Sequence, residues 1–127
     1  MAGDPHDTTS PEAMANDLNS VLLGNVLSVF SRSQLRMWTE ANPTARERLH
    51  ANLPTGRRAA DKTGSNGEHT SSDIAVIWPA AKPAIVVAAY ITQCFGPESQ
   101  RSAMLAEIGR MVAKSLAEGT SKGKARN

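Results

Sequence analysis
Cysteine is nearly absent from this chain of 127 residues. Cys94 stands alone, so no disulfide can form within the chain and the redox compartment leaves no mark on the sequence. Aromatic residues make up only 4%, so a core has to be assembled from Ala, Val, Leu and Ile. No apolar run approaches the roughly 18 residues that a membrane-spanning helix needs, which argues against a membrane partner. Charge of one sign is lacking too. The 14 Lys and Arg stand against 12 Asp and Glu, and they are not gathered in a stripe with interleaved aromatics, which argues against nucleic acid. A local excess, Lys122, Lys124 and Arg126, reads as a solvated basic tail. His6, His50 and His69 lie far apart without ligand spacing, so neither a metal nor another cofactor is expected. Met1-Ala2-Gly3-Asp4-Pro5 has neither the basic nor the apolar region of an export signal.

What is present reads as helices followed by strands and a last helix. Ser10-Pro11 is a helix opening, with the serine as N-cap and the proline at the first helical position. Met14, Leu18, Val21 and Leu22 follow at helical spacing, and Gly24 ends that helix. A second helix is expected from Ser31 to about Ala41, burying Leu35 and Trp38, with Asn42-Pro43 as its stop. Arg46, Glu47 and Arg48 read as the solvated face of a short turn. From Arg58 the period changes. Arg58–Ser65, Ser72–Pro79 and Ala84–Thr92 read as three strands joined by short turns. The third is a continuous apolar run, which predicts a central strand covered on both faces. A helix from Pro97 or Glu98 to about Ala117 buries Met104, Leu105, Ile108, Met111, Val112 and Leu116, and Gly119 ends it. The fold class is α+β: a three-stranded antiparallel meander covered by helices. The divisions are 1–57, helical; 58–119, meander and C-terminal helix; and 120–127, a disordered tail.

The segment that carries chemistry is Asp61-Lys62-Thr63-Gly64-Ser65, at the end of the first strand. Lys62 offers an ammonium, Thr63 a hydroxyl donor, and Gly64 no side chain, so a ligand can lie against the backbone. Its flanks, Leu53-Pro54-Thr55-Gly56 before it and Asp73-Ile74-Ala75-Val76-Ile77-Trp78-Pro79 after it, make the pattern specific. Gly3-Asp4-Pro5-His6-Asp7-Thr8-Thr9-Ser10-Pro11 and Ala84–Gln93 add to it in order, as does Glu107-Ile108-Gly109. Together these segments, from about residue 3 to about residue 119, resemble the C-terminal half of the class A serine β-lactamases, in which a K-T-G strand binds the substrate carboxylate.

The resemblance implies the C-terminal half of the β-lactamase/transpeptidase-like fold, and an enzyme that opens β-lactams through an acyl-serine ester and then hydrolyses it. It implies that Lys62, Thr63, Gly64 and Ser65 contact the substrate, with the Ser65 N–H as one of two oxyanion donors, and that Arg101 supplies a guanidinium near the carboxylate. It places Asp7 where the family's aspartate pairs with an arginine that this chain lacks. It also implies a periplasmic or secreted family; the missing export signal is expected of a chain that starts within a longer reading frame.

The catalytic set is incomplete. The family needs S-x-x-K, S-D-N and a glutamate that positions the deacylating water. S-D-N and the E-x-x-L-N motif of that glutamate do not occur, and the one S-x-x-K, Ser121-Lys122-Gly123-Lys124, lies in the tail. The chain is therefore expected to be inactive alone, and marginal, oligomeric or paired with an N-terminal half. The alternatives are a non-catalytic complementation or self-associating module, or a truncated D,D-peptidase or glutaminase-like relative. His6, Arg57, Asn66 and His69 depart from residues common in the family, which leaves the range of β-lactams open.

Overall fold
The computed structural model of the chain describes residue 6 and residues 8–124, with the backbone alone for 119–124. The readings placed on Gly3, Asp4, Pro5 and Asp7, and on the last three residues, lie outside the described residues. Helix α1, Pro11–Leu18, opens as its sequence dictates. The Ser10 hydroxyl accepts the Ala13 N–H at 3.1 Å and proline occupies the first turn. The chain continues as a π-helical turn, Asn19–Leu23, and stops at Gly24.

Helix α2, Val29–Glu40, begins two residues before the expected Ser31. Ser28 is the N-cap and its hydroxyl accepts the Ser31 N–H at 3.1 Å. Both serines suit a cap; the sequence does not choose between them. The expectation of a buried Trp38 is also overturned, since that residue is 67% exposed. The docking of α2 explains this. Arg32 donates to the Gly24 carbonyl, and Arg36 donates to the Leu22 carbonyl through Nε at 3.0 Å. These guanidinium groups complement the unpaired carbonyl end of the preceding helical segment. They turn the line Arg32, Leu35 and Arg36 inward, leaving Phe30, Met37 and Trp38 outside. A short 3₁₀ turn, Pro43–Glu47, follows.

The three strands are β1, Arg58–Ser65, β2, Ser71–Trp78, and β3, Ile85–Ile91. They form an antiparallel meander in the order β1-β2-β3. The β1–β2 turn is set by Asn66, whose side-chain oxygen accepts the N–H groups of Glu68, His69 and Thr70 at 3.0, 3.0 and 2.9 Å. Gly67, with φ of 79°, supplies the left-handed residue there. The expectation that the apolar β3 is central is corrected. β2 is central and β3 lies at an edge. An apolar run reports that both faces are covered, and says nothing about which strand neighbours it.

Alternation puts two sets of side chains on opposite faces of the sheet. On one, Ala59, Ala75, Ile77 and Ala89 pack with Leu49 and Leu105. On the other, Ala60 and Val76 pack with Leu18 and Leu22. Helix α3, Glu98–Lys124, covers the first face. Its buried line is Arg101, Ser102, Leu105, Ala106 and Leu116, whereas Met104 and Met111, expected in the core, are 47% and 58% exposed. The helix runs through Gly119 to Lys124. An interior glycine costs a helix only about 1 kcal/mol, and no proline stands in its way, so Gly119 does not end it and residues 120–124 are helical rather than a disordered tail. Gly109 marks the closest approach. A Cβ there would lie 2.1 Å from the Leu49 carbonyl oxygen.

Candidate substrate-carboxylate site
Strand β1 sets Lys62, Thr63, Gly64 and Ser65 in a row along an outer edge of the sheet, since its other side is paired with β2. Lys62 and Ser65 are exposed, and Thr63 and Gly64 half-buried. The Lys62 ammonium donates to the Thr63 carbonyl at 2.7 Å. The Thr63 hydroxyl meets that of Thr44 at 2.5 Å, and Thr44 in turn donates to the Asn42 side-chain oxygen at 2.8 Å. Asn42 also donates to the Asp61 carbonyl at 3.3 Å. The turn after α2 is thereby held against the rail. The Ser65 hydroxyl accepts the Gly67 N–H at 3.1 Å, so this side chain braces the turn. A Cβ at Gly64 would come 2.7 Å from the Ser72 hydroxyl, which would have to turn away to admit it.

Arg48 was missed. Read as part of a solvated face, it is 6% exposed. Its Nη1 donates to the carbonyls of Gly64 and Ser72, each at 2.8 Å, and its Nη2 pairs with Glu98 at 2.9 Å. One guanidinium thus ties the end of β1 to β2 and to the start of α3. Arg46 and Glu47 are exposed as expected. Nothing in the alternation of charge around Arg48 distinguishes it from Arg46; only the position of the sheet does.

Arg101, expected near the carboxylate, is turned into the protein and is 1% exposed. Its Nε donates to the Ser71 hydroxyl at 3.0 Å, and its Nη1 to the carbonyls of Cys94 and Gly96 at 3.2 and 2.6 Å. It clasps the β3–α3 connection to the end of β2.

Beneath the rail lie two carboxyl groups, Asp61 and Asp73, 3% and 0% exposed. Asp73 Oδ2 accepts the Leu49 N–H at 3.0 Å, while both oxygens of Asp61 and Oδ1 of Asp73 have no hydrogen-bond partner among the described residues. Burial, and then the charge of Asp73, push the Asp61 carboxyl up to about 7. Burial also lifts Asp73, to about 6, against the pull of the Leu49 N–H and of Arg48. Two carboxylates so close in a dry site favour one retained proton. Beside the rail runs a groove of about 450 Å³ walled by Thr44, Arg48, Glu98, Ser99 and Ser102. Two of its walls touch the rail, Thr44 through the Thr63 hydroxyl and Arg48 through the Gly64 carbonyl, and Glu47 and Glu98 also line it. Among the described residues no group of His, Cys, Asp and Glu is placed to hold a metal, and no helix is long and apolar enough to cross a membrane.

The family model described as the β-lactamase enzyme family matches residues 1–116. The chain belongs to this family. Its relatives are of class A, and it corresponds to their C-terminal part. It is 44% identical over 112 residues to β-lactamase CTX-M-25 of Escherichia coli, a match spanning 88% of this chain and 38% of that protein. With β-lactamase L2 of Stenotrophomonas maltophilia the identity is 47% over 111 residues, 87% of this chain and 37% of the relative. An ancestral class A β-lactamase structure superposes with a TM-score of 0.87 at 48% identity, covering 91% of this chain and 44% of that one. The chain therefore spans about two fifths of the length of the β-lactamases it matches, and within that span the backbone is theirs.

Proposed function
We propose that this chain provides the substrate-carboxylate rail and one oxyanion donor of a class A serine β-lactamase active site. The observation that carries this reading is the K-T-G segment on an open strand edge, with Thr63 held by Thr44, a residue that also walls the adjoining groove. Lys62 and the Thr63 hydroxyl bind the carboxylate of a β-lactam, and the Ser65 N–H faces the oxygen that becomes negative during acyl transfer. Such a donor is worth about 10²–10³ in rate when a nucleophile is in range. The chain contains no S-D-N and no E-x-x-L-N. The backbone of its one S-x-x-K, Ser121 to Lys124, lies in the last turns of α3, whereas a nucleophile of this kind sits at a helix start. The chain is inactive by itself, and an N-terminal half supplies the nucleophile and general base. The working place is the periplasm or the exterior of the cell, as for exported members of such a family.

The test is hydrolysis of a chromogenic cephalosporin by the chain, alone and mixed with an N-terminal class A half. Turnover only in the mixture, abolished by Lys62→Ala, is the expected result. Turnover by the chain alone that survives Ser121→Ala would place the active site elsewhere.

A further inference from the structure
Alternation puts Asp61 and Thr63 on one face of the sheet. The β1–β2 register sets Thr63 directly opposite Asp73, and Asp61 opposite Ala75. Asp73 is therefore the cross-strand partner of Thr63 and a diagonal neighbour of Asp61, within reach of both. Both Asp61 oxygens and Oδ1 of Asp73 are closed off from solvent without a hydrogen-bond partner among the described residues. This chain's own atoms close them off, so further chain packed outside has no access to them. The charges that bear on the pair come from two sides. Lys62 acts from β1 and Arg48 from the segment before it, and the N–H groups of Leu49 and Ile74 favour the Asp73 carboxylate. The charge that α3 brings here, Glu98, is tied to Arg48 at 2.9 Å, and β3 opposes Asp73 with uncharged Ala89.

We propose that the Asp61–Asp73 pair, holding one proton between its two carboxyl groups, sets how tightly the Lys62–Thr63 rail binds an anionic carboxylate, and that binding weakens when this proton leaves. The inference deepens the reading of K-T-G as a carboxylate rail and rests on it. The physical cause is charge. With its proton the pair carries one negative charge, and without it two, in a poorly screened interior beneath the groups that meet the ligand. Lys62 lowers the proton affinity of both acids. That coupling is reciprocal: a bound anion offsets the ammonium and raises the proton affinity of the pair, so binding takes up part of a proton from solvent. Burial lifts the two acids to about 7 and about 6, so the proton leaves near neutral pH. The rail therefore binds best in mild acid.

The chain complemented by an N-terminal half tests this through KM for a chromogenic cephalosporin from about pH 5.5 to about pH 8.5, compared with the methyl ester of the same compound. KM for the free acid is expected to rise about three- to tenfold across that range, while KM for the ester stays level. Asp61→Asn, which leaves Asp73 as the one acid of the pair, keeps KM in mild alkali near the parent's value in mild acid. In the chain alone, carbon-13 NMR of the aspartate carboxyl groups reads the same coupling without substrate: Lys62→Met raises the pH at which Asp61 and Asp73 titrate. An inactive mixture would overturn the rail itself. An active mixture whose KM for the acid is level in pH, or rises as steeply with Asp61→Asn, would overturn the inference and spare the rail. Carboxyl titrations that Lys62→Met does not move would overturn the inference as well.

Discussion
The two edges of this small sheet are built on opposite plans. Along β1 the strand is met by polar groups from elsewhere in the chain. Asn42 reaches the Asp61 carbonyl and Thr44 the Thr63 hydroxyl, while Arg48 ties the Gly64 carbonyl to that of Ser72 on β2. Along β3 there are apolar side chains and, among the described residues, no side-chain guard of this kind. The first edge is open to a ligand yet fixed in shape, which a binding rail requires, because a donor that must reorganise contributes less. Among the described residues the second carries only apolar side chains, set between the helices that cover its faces. Rigidity at β1 is imported, and the residues that import it are where the comparison breaks most easily.

The largest effect is expected at Arg48. Arg48→Met keeps most of the apolar stem but removes the donors to Gly64 and Ser72, the partner of Glu98, and a positive charge near Asp73. Losing one member of a buried charged network costs about 3 kcal/mol, a large share of a typical total of about 5–15 kcal/mol. A urea unfolding midpoint reads the loss.

Gly109→Ala strikes the layer beneath both edges. Alanine gains about 1 kcal/mol over glycine in a helix interior, but its Cβ would sit 2.1 Å from the Leu49 carbonyl oxygen. Backbone on both sides cannot yield as a flexible side chain does. The clash wins, with a net loss of about 2 kcal/mol by thermal or urea unfolding. A neutral or stabilised variant would show that α3 rests less firmly on the segment carrying Arg48.

The carboxyl pair gives β1 a pH dependence that β3 lacks. Asp61 and Asp73 stand above their unfolded value of 3.8, at about 7 and about 6. A buried acid raised in this way binds its proton more tightly in the folded state. Its stabilisation is complete below about pH 4 and is lost as pH rises through about 6 to 7. Asp61→Asn removes that slope and offers an amide to the unpaired Asp73 oxygen. Relative to the parent it gains about 1–2 kcal/mol at pH 8 and little at pH 4. Unfolding midpoints of the two proteins across that range check it; parallel curves would mean that the pair does not titrate in the window.

Much of this was legible in the sequence, for local reasons. Ser10-Pro11 sets the start of α1, Asn66-Gly67 sets the β1–β2 turn, and the K-T-G motif with its flanks points to the family. The misreadings share a cause, which is that the sequence pattern records burial but not partners. β3 is apolar because helices cover its faces, and that says nothing of its edge. Trp38 is helical and apolar, yet Arg32 and Arg36 decide which side of α2 turns inward. Arg48 and Arg46 are alike in sequence; one finds the carbonyls of two strands and the other finds water. The engagement of Arg101 by Ser71, Cys94 and Gly96 likewise depends on where the β3–α3 connection comes to rest.

The smallest effect expected is at Thr44. Thr44→Val keeps the shape of the side chain and removes the hydroxyl that meets Thr63 at 2.5 Å. The position is exposed, so water replaces the lost partner and the cost in stability is about 0.5–1 kcal/mol. The consequence for the rail is larger than the consequence for the fold. Freed from Thr44, the Thr63 hydroxyl rotates among several acceptors instead of one. In a complemented enzyme Thr44→Val therefore raises KM several-fold with little change in kcat, because it loosens a contact made alike to substrate and transition state. A fall in kcat with KM unchanged would place Thr63 in the chemical step, and would make the polar bracing of β1 part of the reaction itself.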